Sequence, residues 1–108
     1  MKRGDVWWAQ FPPPAGRRPV LLLSRDDAYA VRALVVVAPV TTRVRNIPSE
    51  VPLDSGDGLP RTCVANLDTI TTIAKSSLQT QISSLGTEKL QAVNAAIRFA
   101  LGLESDLE

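Results

Sequence analysis

The side chains best suited to chemistry in this chain are arginines and threonines, and they fall in two short runs. Arg17 and Arg18 stand together immediately before Pro19, and Thr41, Thr42 and Arg43 follow a valine-rich stretch. A guanidinium presents a planar fork of donors that matches two oxygens of a phosphate. Pro19 has a fixed φ and biases Arg18 toward an extended backbone, which helps aim the side chain. A threonine hydroxyl donates to a phosphoryl oxygen and orients it, although it is a poor base. Both runs therefore suit a phosphate-bearing ligand. Two plainer readings stay open on these residues alone: solvated arginines beside a turn, and a threonine chosen for its fit in a strand.

Other chemistries are closed off by composition. The chain has no histidine and a single cysteine, Cys63. The usual zinc sites, Ser-His and Cys-His catalytic pairs and an internal disulfide are thereby excluded. No metal and no cofactor is expected. Net charge is only +1, but it is unevenly spread: residues 1–45 carry eight Lys/Arg against three Asp/Glu, and the remainder four against eight. A basic first half offers a phosphate-binding face. The opening MKRGDVWWAQ lacks the apolar core and cleavage site of a signal peptide. No apolar run approaches the roughly 20 residues of a membrane helix. A cytoplasmic protein without membrane association is expected.

The elements that must hold these residues are short. At 108 residues the chain fits one domain, residues 1–108. Asp5 to Phe11 reads as a strand, PPPAGRR as a loop, and Val20 to Leu23 as a strand buried on both faces. Arg25 to Arg32 reads as a connector with a helical turn. Leu34 to Val40 is strongly strand-like and delivers Thr41 where side chains leave the core. Pro48, Pro52 and two glycines limit Ile47 to Gly58 to a short edge strand. Thr62 to Leu67, Thr71 to Ala74 and Leu78 to Ser84 bring the set to about five to seven strands. Leu90, Val93, Ile97 and Leu101 then recur at helical spacing, predicting a helix over about 87–101 with Thr87 as N-cap and Gly102 as terminator, before an acidic tail at 103–108. Short strands followed by one amphipathic helix predict a mainly β fold, a strongly bent sheet or small barrel with a C-terminal helix packed on it.

Four segments in order, KRGDVWWAQF, GRRPVLLLSRD, VVVAPVTTR and NLDTITTIAKSSL, together with the closing SSLGTEKLQAVNAAIRFALGL, resemble the MazF/PemK toxin family. The resemblance runs from about residue 2 to residue 103. It implies an SH3-like barrel of twisted antiparallel strands, a homodimer, and ribosome-independent cleavage of single-stranded RNA to 2′,3′-cyclic phosphate and 5′-hydroxyl ends. It also implies a cognate MazE-like antitoxin whose flexible segment blocks the RNA site. Arg18 matches the family's catalytic arginine and Thr41 its catalytic threonine. Arg17, Arg43 and Thr69 are expected to contact RNA, and Thr42 and Asp68 to serve either catalysis or RNA binding. Asp68 has two readings, a base for proton transfer or an acid that orders a loop or pairs with Arg17 or Arg18.

Such cleavage uses the RNA's own 2′-hydroxyl as nucleophile. The protein must align it with the phosphorus, stabilise charge on the phosphoryl oxygens and allow two protons to move. No imidazole or metal is required.

The chain also departs from the family. Many members carry Gln at the position of Thr69 and Arg at that of Thr71, so the target motif does not carry over. Adjacent Trp7 and Trp8 should point to opposite faces, one into the core and one outward to stack on a base or meet a protein partner. The proline-rich first loop should be stiff and leave the site open. Two rival functions share this fold: a CcdB-like gyrase-binding toxin, disfavoured by the acidic, Trp-free ending, and a non-catalytic barrel that only binds antitoxin or RNA.

Overall fold

The computed structural model describes residues 1–103. The acidic tail expected at 103–108 therefore lies, beyond Leu103, outside the described residues. Seven strands form one curled antiparallel sheet: β1 (Asp5–Gln10), β2 (Arg17–Leu22), β3 (Leu34–Thr41), β4 (Glu50–Leu53), β5 (Cys63–Asn66), β6 (Thr71–Ala74) and β7 (Leu78–Ser84). A single turn, α1 (Ala28–Val31), links β2 to β3, and α2 (Thr87–Ala100) closes the described chain. The strand order is β4-β5-β3-β2-β1-β7, with β6 paired to β3 as well.

The curl comes from β3. Its first half, Leu34 to Val37, pairs with β6, and its end, Val40 and Thr41, pairs with β5. On its other edge β2 pairs at Val37 to Pro39. One strand thus serves two partners along a single edge, which bends the sheet into a half-barrel with a cluster of buried apolar residues on each face.

The apolar run in β2 shows how the sequence produces this. Val20, Leu21 and Leu22 are all buried, as expected for a strand covered on both faces. Leu21 joins Val6, Ala38, Leu53 and Ala65 beneath Val93 and Ala96 of α2. Val20 and Leu22 point the other way, to Ala9, Tyr29, Val35 and Val37. The helix seats closely because Gly4 passes beneath it. Gly4 has φ +94°, and a Cβ there would meet the Leu90 side chain at 2.6 Å.

Most strand ends lie within a residue of expectation, but the first loop and the start of α2 differ in kind. The strand β2 starts at Arg17, because Gln10 pairs with Arg17 and Ala9 with Arg18 in the β1–β2 ladder. The loop is then only 11–16, closed by Phe11 N donating to Gly16 O at 2.9 Å. At α2 the N-cap is Gly86 rather than Thr87, since Leu90 N bonds Gly86 O, and no side chain caps the helix. Gly102 does end it: with φ +68°, its N–H reaches Phe99 O and that of Leu103 reaches Arg98 O, the paired bonds of a Schellman ending. Neither tryptophan is fully core, for both are half-buried. Trp7 packs on the Ala9–Val37 cluster and donates Nε1 to Asp5 at 3.3 Å.

Candidate functional site

A concavity of about 650 Å³ forms a groove over β1, β2 and β3 whose far wall is the segment leading into β5. Its apolar base includes Phe11, Pro19, Val37, Pro39 and Val40. Its polar groups are the guanidinium groups of Arg17, Arg18 and Arg61, the hydroxyls of Thr41, Thr42 and Thr71, and the thiol of Cys63. No carboxylate lines it among the described residues, and no group of three or more His, Cys, Asp or Glu there could hold a metal. Three guanidiniums without a counter-charge fit an anion.

Strand register brings the two sequence runs together. Val20 on β2 faces Pro39 on β3. Arg18 and Thr41 each lie two residues beyond that pair, where the strands run on into the groove, so antiparallel geometry sets them across from one another. Arg18 is exposed, and its Nε donates to Ala15 O at 2.8 Å, which anchors the guanidinium and leaves its outer nitrogens for a ligand. Arg17 is held differently. Its guanidinium carbon lies 4.4 Å from the centre of the Trp8 ring, and its Nε donates to Gln79 Oε1 at 3.2 Å.

Thr41 is half-buried, and its Oγ1 accepts the backbone N–H of Arg43 at 3.1 Å. The oxygen is thereby fixed and the hydroxyl proton is left for donation outward. Thr42 follows at the groove wall, while the Arg43 side chain is exposed outside it. Beyond it the chain is pinned by buried Glu50, whose Oε1 accepts the N–H groups of Arg45 and Asn46 at 2.9 and 3.0 Å. Asn46 has φ 58°, a conformation that asparagine tolerates better than most residues.

Asp68 and Thr69 do not join this assembly. They occupy a 3₁₀ turn, Leu67–Thr69, after β5, and neither lines the groove. The Asp68 carboxylate accepts the hydroxyl of buried Ser49, and its N–H is bound by Asn66 Oδ1 at 2.9 Å. Its partner is Ser49 rather than Arg17 or Arg18, and it stands outside the groove. Thr69 donates back to Asn66 O at 3.4 Å. Thr71, by contrast, reaches the groove from β6.

Two groove residues escape sequence reasoning. Arg61 lies in a Gly- and Pro-rich stretch that reads only as turn, and nothing local places it in the same groove as Arg18. Cys63 is identified in sequence only for the pairings it lacks. It is buried, its thiol faces Leu53 O at 3.7 Å, and burial pushes its pKa up, with Asp57 and Asp54 adding to the effect. It is therefore a protonated, unreactive wall group at neutral pH.

Known proteins share both sequence and architecture. The family model described as PemK-like, MazF-like toxin of type II toxin–antitoxin system matches residues 2–101. A Mycobacterium tuberculosis protein named probable endoribonuclease MazF5 is 37% identical over 100 residues, covering 92% of this chain and 91% of its own length. Endoribonuclease EndoA of Bacillus subtilis is 32% identical over 111 residues, with 95% and 96% covered. Among solved structures, Mycobacterium tuberculosis toxin MazF-mt6 superposes with a TM-score of 0.86 at 35% identity, covering 94% of this chain and 99% of that one. An endoribonuclease in complex with its cognate antitoxin, from a mycobacterial species, gives 0.85 at 30% identity, with 97% and 98% covered. On a family match spanning nearly all of its length, the chain belongs to the PemK-like, MazF-like toxins of type II toxin–antitoxin systems.

Proposed function

We propose that this chain is the toxin of a type II toxin–antitoxin pair and an endoribonuclease that cleaves single-stranded RNA without a metal. The observation that carries the reading is that Arg18 and Thr41 line one anion-suited groove with no carboxylate among its described lining residues. RNA supplies its own nucleophile in the 2′-hydroxyl, so the protein needs to align, to stabilise charge and to exclude misalignment. Arg18 grips the non-bridging oxygens of the scissile phosphate, whose charge grows as the 2′-oxygen attacks. Thr41 donates its hydroxyl to the same group and fixes its rotation. Bond formation from 2′-oxygen to phosphorus expels the 5′-oxygen, leaving a 2′,3′-cyclic phosphate and a 5′-hydroxyl. The 2′-oxygen gives up one proton and the departing 5′-oxygen takes one up; a guanidinium is a weak acid and a hydroxyl a weak base, so the main work of these two side chains is charge stabilisation and alignment. Arg17 and Thr42 hold flanking parts of the strand, with Arg43 and Thr69 reaching it only outside the groove.

The relatives carry the names of endoribonucleases, which favours catalysis over mere binding, and the family match leaves the gyrase-binding alternative without support. The toxin acts as a homodimer in the cytoplasm, where its substrate lies, and a cognate antitoxin masks the groove, as the complexed relative suggests. No described helix is long and apolar enough to cross a membrane. The test is incubation of purified protein with a mixed-sequence RNA and chemical mapping of the ends. Cyclic phosphate and 5′-hydroxyl ends are expected at a recurring motif, and a 2′-deoxy sugar at the cut should block it. Cutting across that deoxy linkage would overturn the mechanism.

A further inference from the structure

Arg61 is the groove cation that the cleavage chemistry above does not use. It is exposed on the wall opposite Arg17 and Arg18, and among the described residues it has no hydrogen-bond, ion-pair or ring partner. Arg17 and Arg18 are each tethered through Nε. An untethered guanidinium near two others is repelled by them unless an anion lies between.

The backbone that presents Arg61 is fixed. The β4–β5 connection begins with a capping box in which Asp54 accepts from Gly56 N at 2.9 Å and Asp57 accepts from Asp54 N at 3.1 Å. Ser83 of β7 donates its hydroxyl to Asp57 O, and Lys89 of α2 pairs with the Asp57 carboxylate at 3.3 Å. Gly58 turns the chain with φ +83°, and Leu59 plugs into the core at 4% exposure. Arg61 follows two residues later, so an anchored backbone carries an exposed, untethered side chain.

Topology sets its distance from the cleavage groups. Strand β3 lies between β2, which bears Arg18, and β5, which Arg61 precedes by two residues. Strands two apart are separated by about 10 Å. Arginines reaching inward from both sides of that span match neighbouring phosphates of a single strand rather than one shared phosphate.

We infer that Arg61 is an RNA-binding residue that holds a phosphate flanking the scissile one, on the Thr42 side of the groove. This rests on the RNA reading proposed above. It makes Arg61 a determinant of strand affinity and register, separate from the chemistry at Arg18.

The experiment measures binding of an uncleavable, fully 2′-deoxy single strand across a salt series for wild type, Arg61→Ala and Arg61→Lys. Each neutralised phosphate contributes about 0.7 to the slope of log affinity against log salt for single strands. Arg61→Ala should bind about tenfold more weakly with a slope smaller by about 0.7, and Arg61→Lys should restore the slope. A neutral methylphosphonate placed in turn at each linkage should weaken wild type at one flanking position where Arg61→Ala is indifferent. An unchanged slope in Arg61→Ala, or equal sensitivity of both proteins at every linkage, would overturn the inference. Tight binding of the deoxy strand by a wild type that leaves the matching RNA uncut would defeat the cleavage reading alone. Failure of wild type to bind any single strand would defeat both.

Discussion

Arg17 sits over the Trp8 ring, its guanidinium carbon 4.4 Å from the ring centre, in the same groove that holds Arg18 and Thr41. The indole thus orients a cation, and the pair together presents a stacking surface for an unpaired base. Base–aromatic stacking is worth about 1–3 kcal/mol per base, and an exposed cation–π contact about 0.5–1 kcal/mol. Trp8→Ala should therefore raise KM for RNA about tenfold or more while kcat changes less than threefold. Steady-state kinetics on a short RNA decide it; an equal fall in kcat and kcat/KM would instead place Trp8 in the chemistry.

Asp68 supports a different expectation. Its carboxylate is engaged by Ser49 outside the groove, so Asp68→Asn should retain kcat within about threefold, since the amide oxygen still accepts the Ser49 hydroxyl. A loss of a hundredfold or more, with thermal stability unchanged, would restore Asp68 as a proton-transfer group.

Burial of Cys63 has a consequence for pH. Desolvation raises its pKa in the folded protein, as it does for Tyr29. Below about pH 8.5 the thiol is protonated folded and unfolded, and its contribution to stability is fully present. As pH rises through the elevated folded value the unfolded chain releases the proton more readily, and stability falls. Tyr29 adds a second loss above about pH 10. Urea denaturation at pH 7, 9 and 10.5 should show declining stability, with a shallower early decline in Cys63→Ala. Stability that rises over this range would contradict the assignment.

Gly4 couples the sheet to α2. Alanine there would combine an unfavourable positive φ with a 2.6 Å approach to the Leu90 side chain. Gly4→Ala should cost about 1–3 kcal/mol in urea denaturation. Adding Leu90→Ala should not recover the backbone part of that loss. A neutral effect would mean that α2 tolerates displacement from β1.

How much of this was legible depends on whether a relationship is local. Arg18 before Pro19 and Thr41 at the end of a valine run were readable because each sits at a strand end that pattern alone can find. Their meeting needed only adjacent antiparallel strands. The apolar run Val20–Leu22 likewise declared its two-sided burial. Arg61 was not readable, because its place in the groove depends on β5 pairing with the end of β3 and on a loop anchored to β7 and α2. Asp68 shows the converse: it is close in sequence to Thr71, which lines the groove, yet the 3₁₀ turn carries its carboxylate to Ser49. Trp7 and Trp8 follow strand alternation, but a half-curled sheet leaves neither face fully covered. Thr87 fits the composition of an N-cap, and the backbone bond to Gly86 O decides otherwise.

The central claim is that Arg18 and Thr41 stabilise and orient a scissile RNA phosphate without a metal. The most direct measurement incubates wild type, Arg18→Ala and Thr41→Ala with a mixed-sequence RNA in EDTA and compares single-turnover rates. Loss of one well-placed donor to a charged transition state costs about 10²–10³ in rate. Wild type should cleave undiminished by EDTA, Arg18→Ala should fall by that factor, and Thr41→Ala should fall by at least tenfold. Cleavage that survives both substitutions, or that disappears only on chelation, would contradict the account.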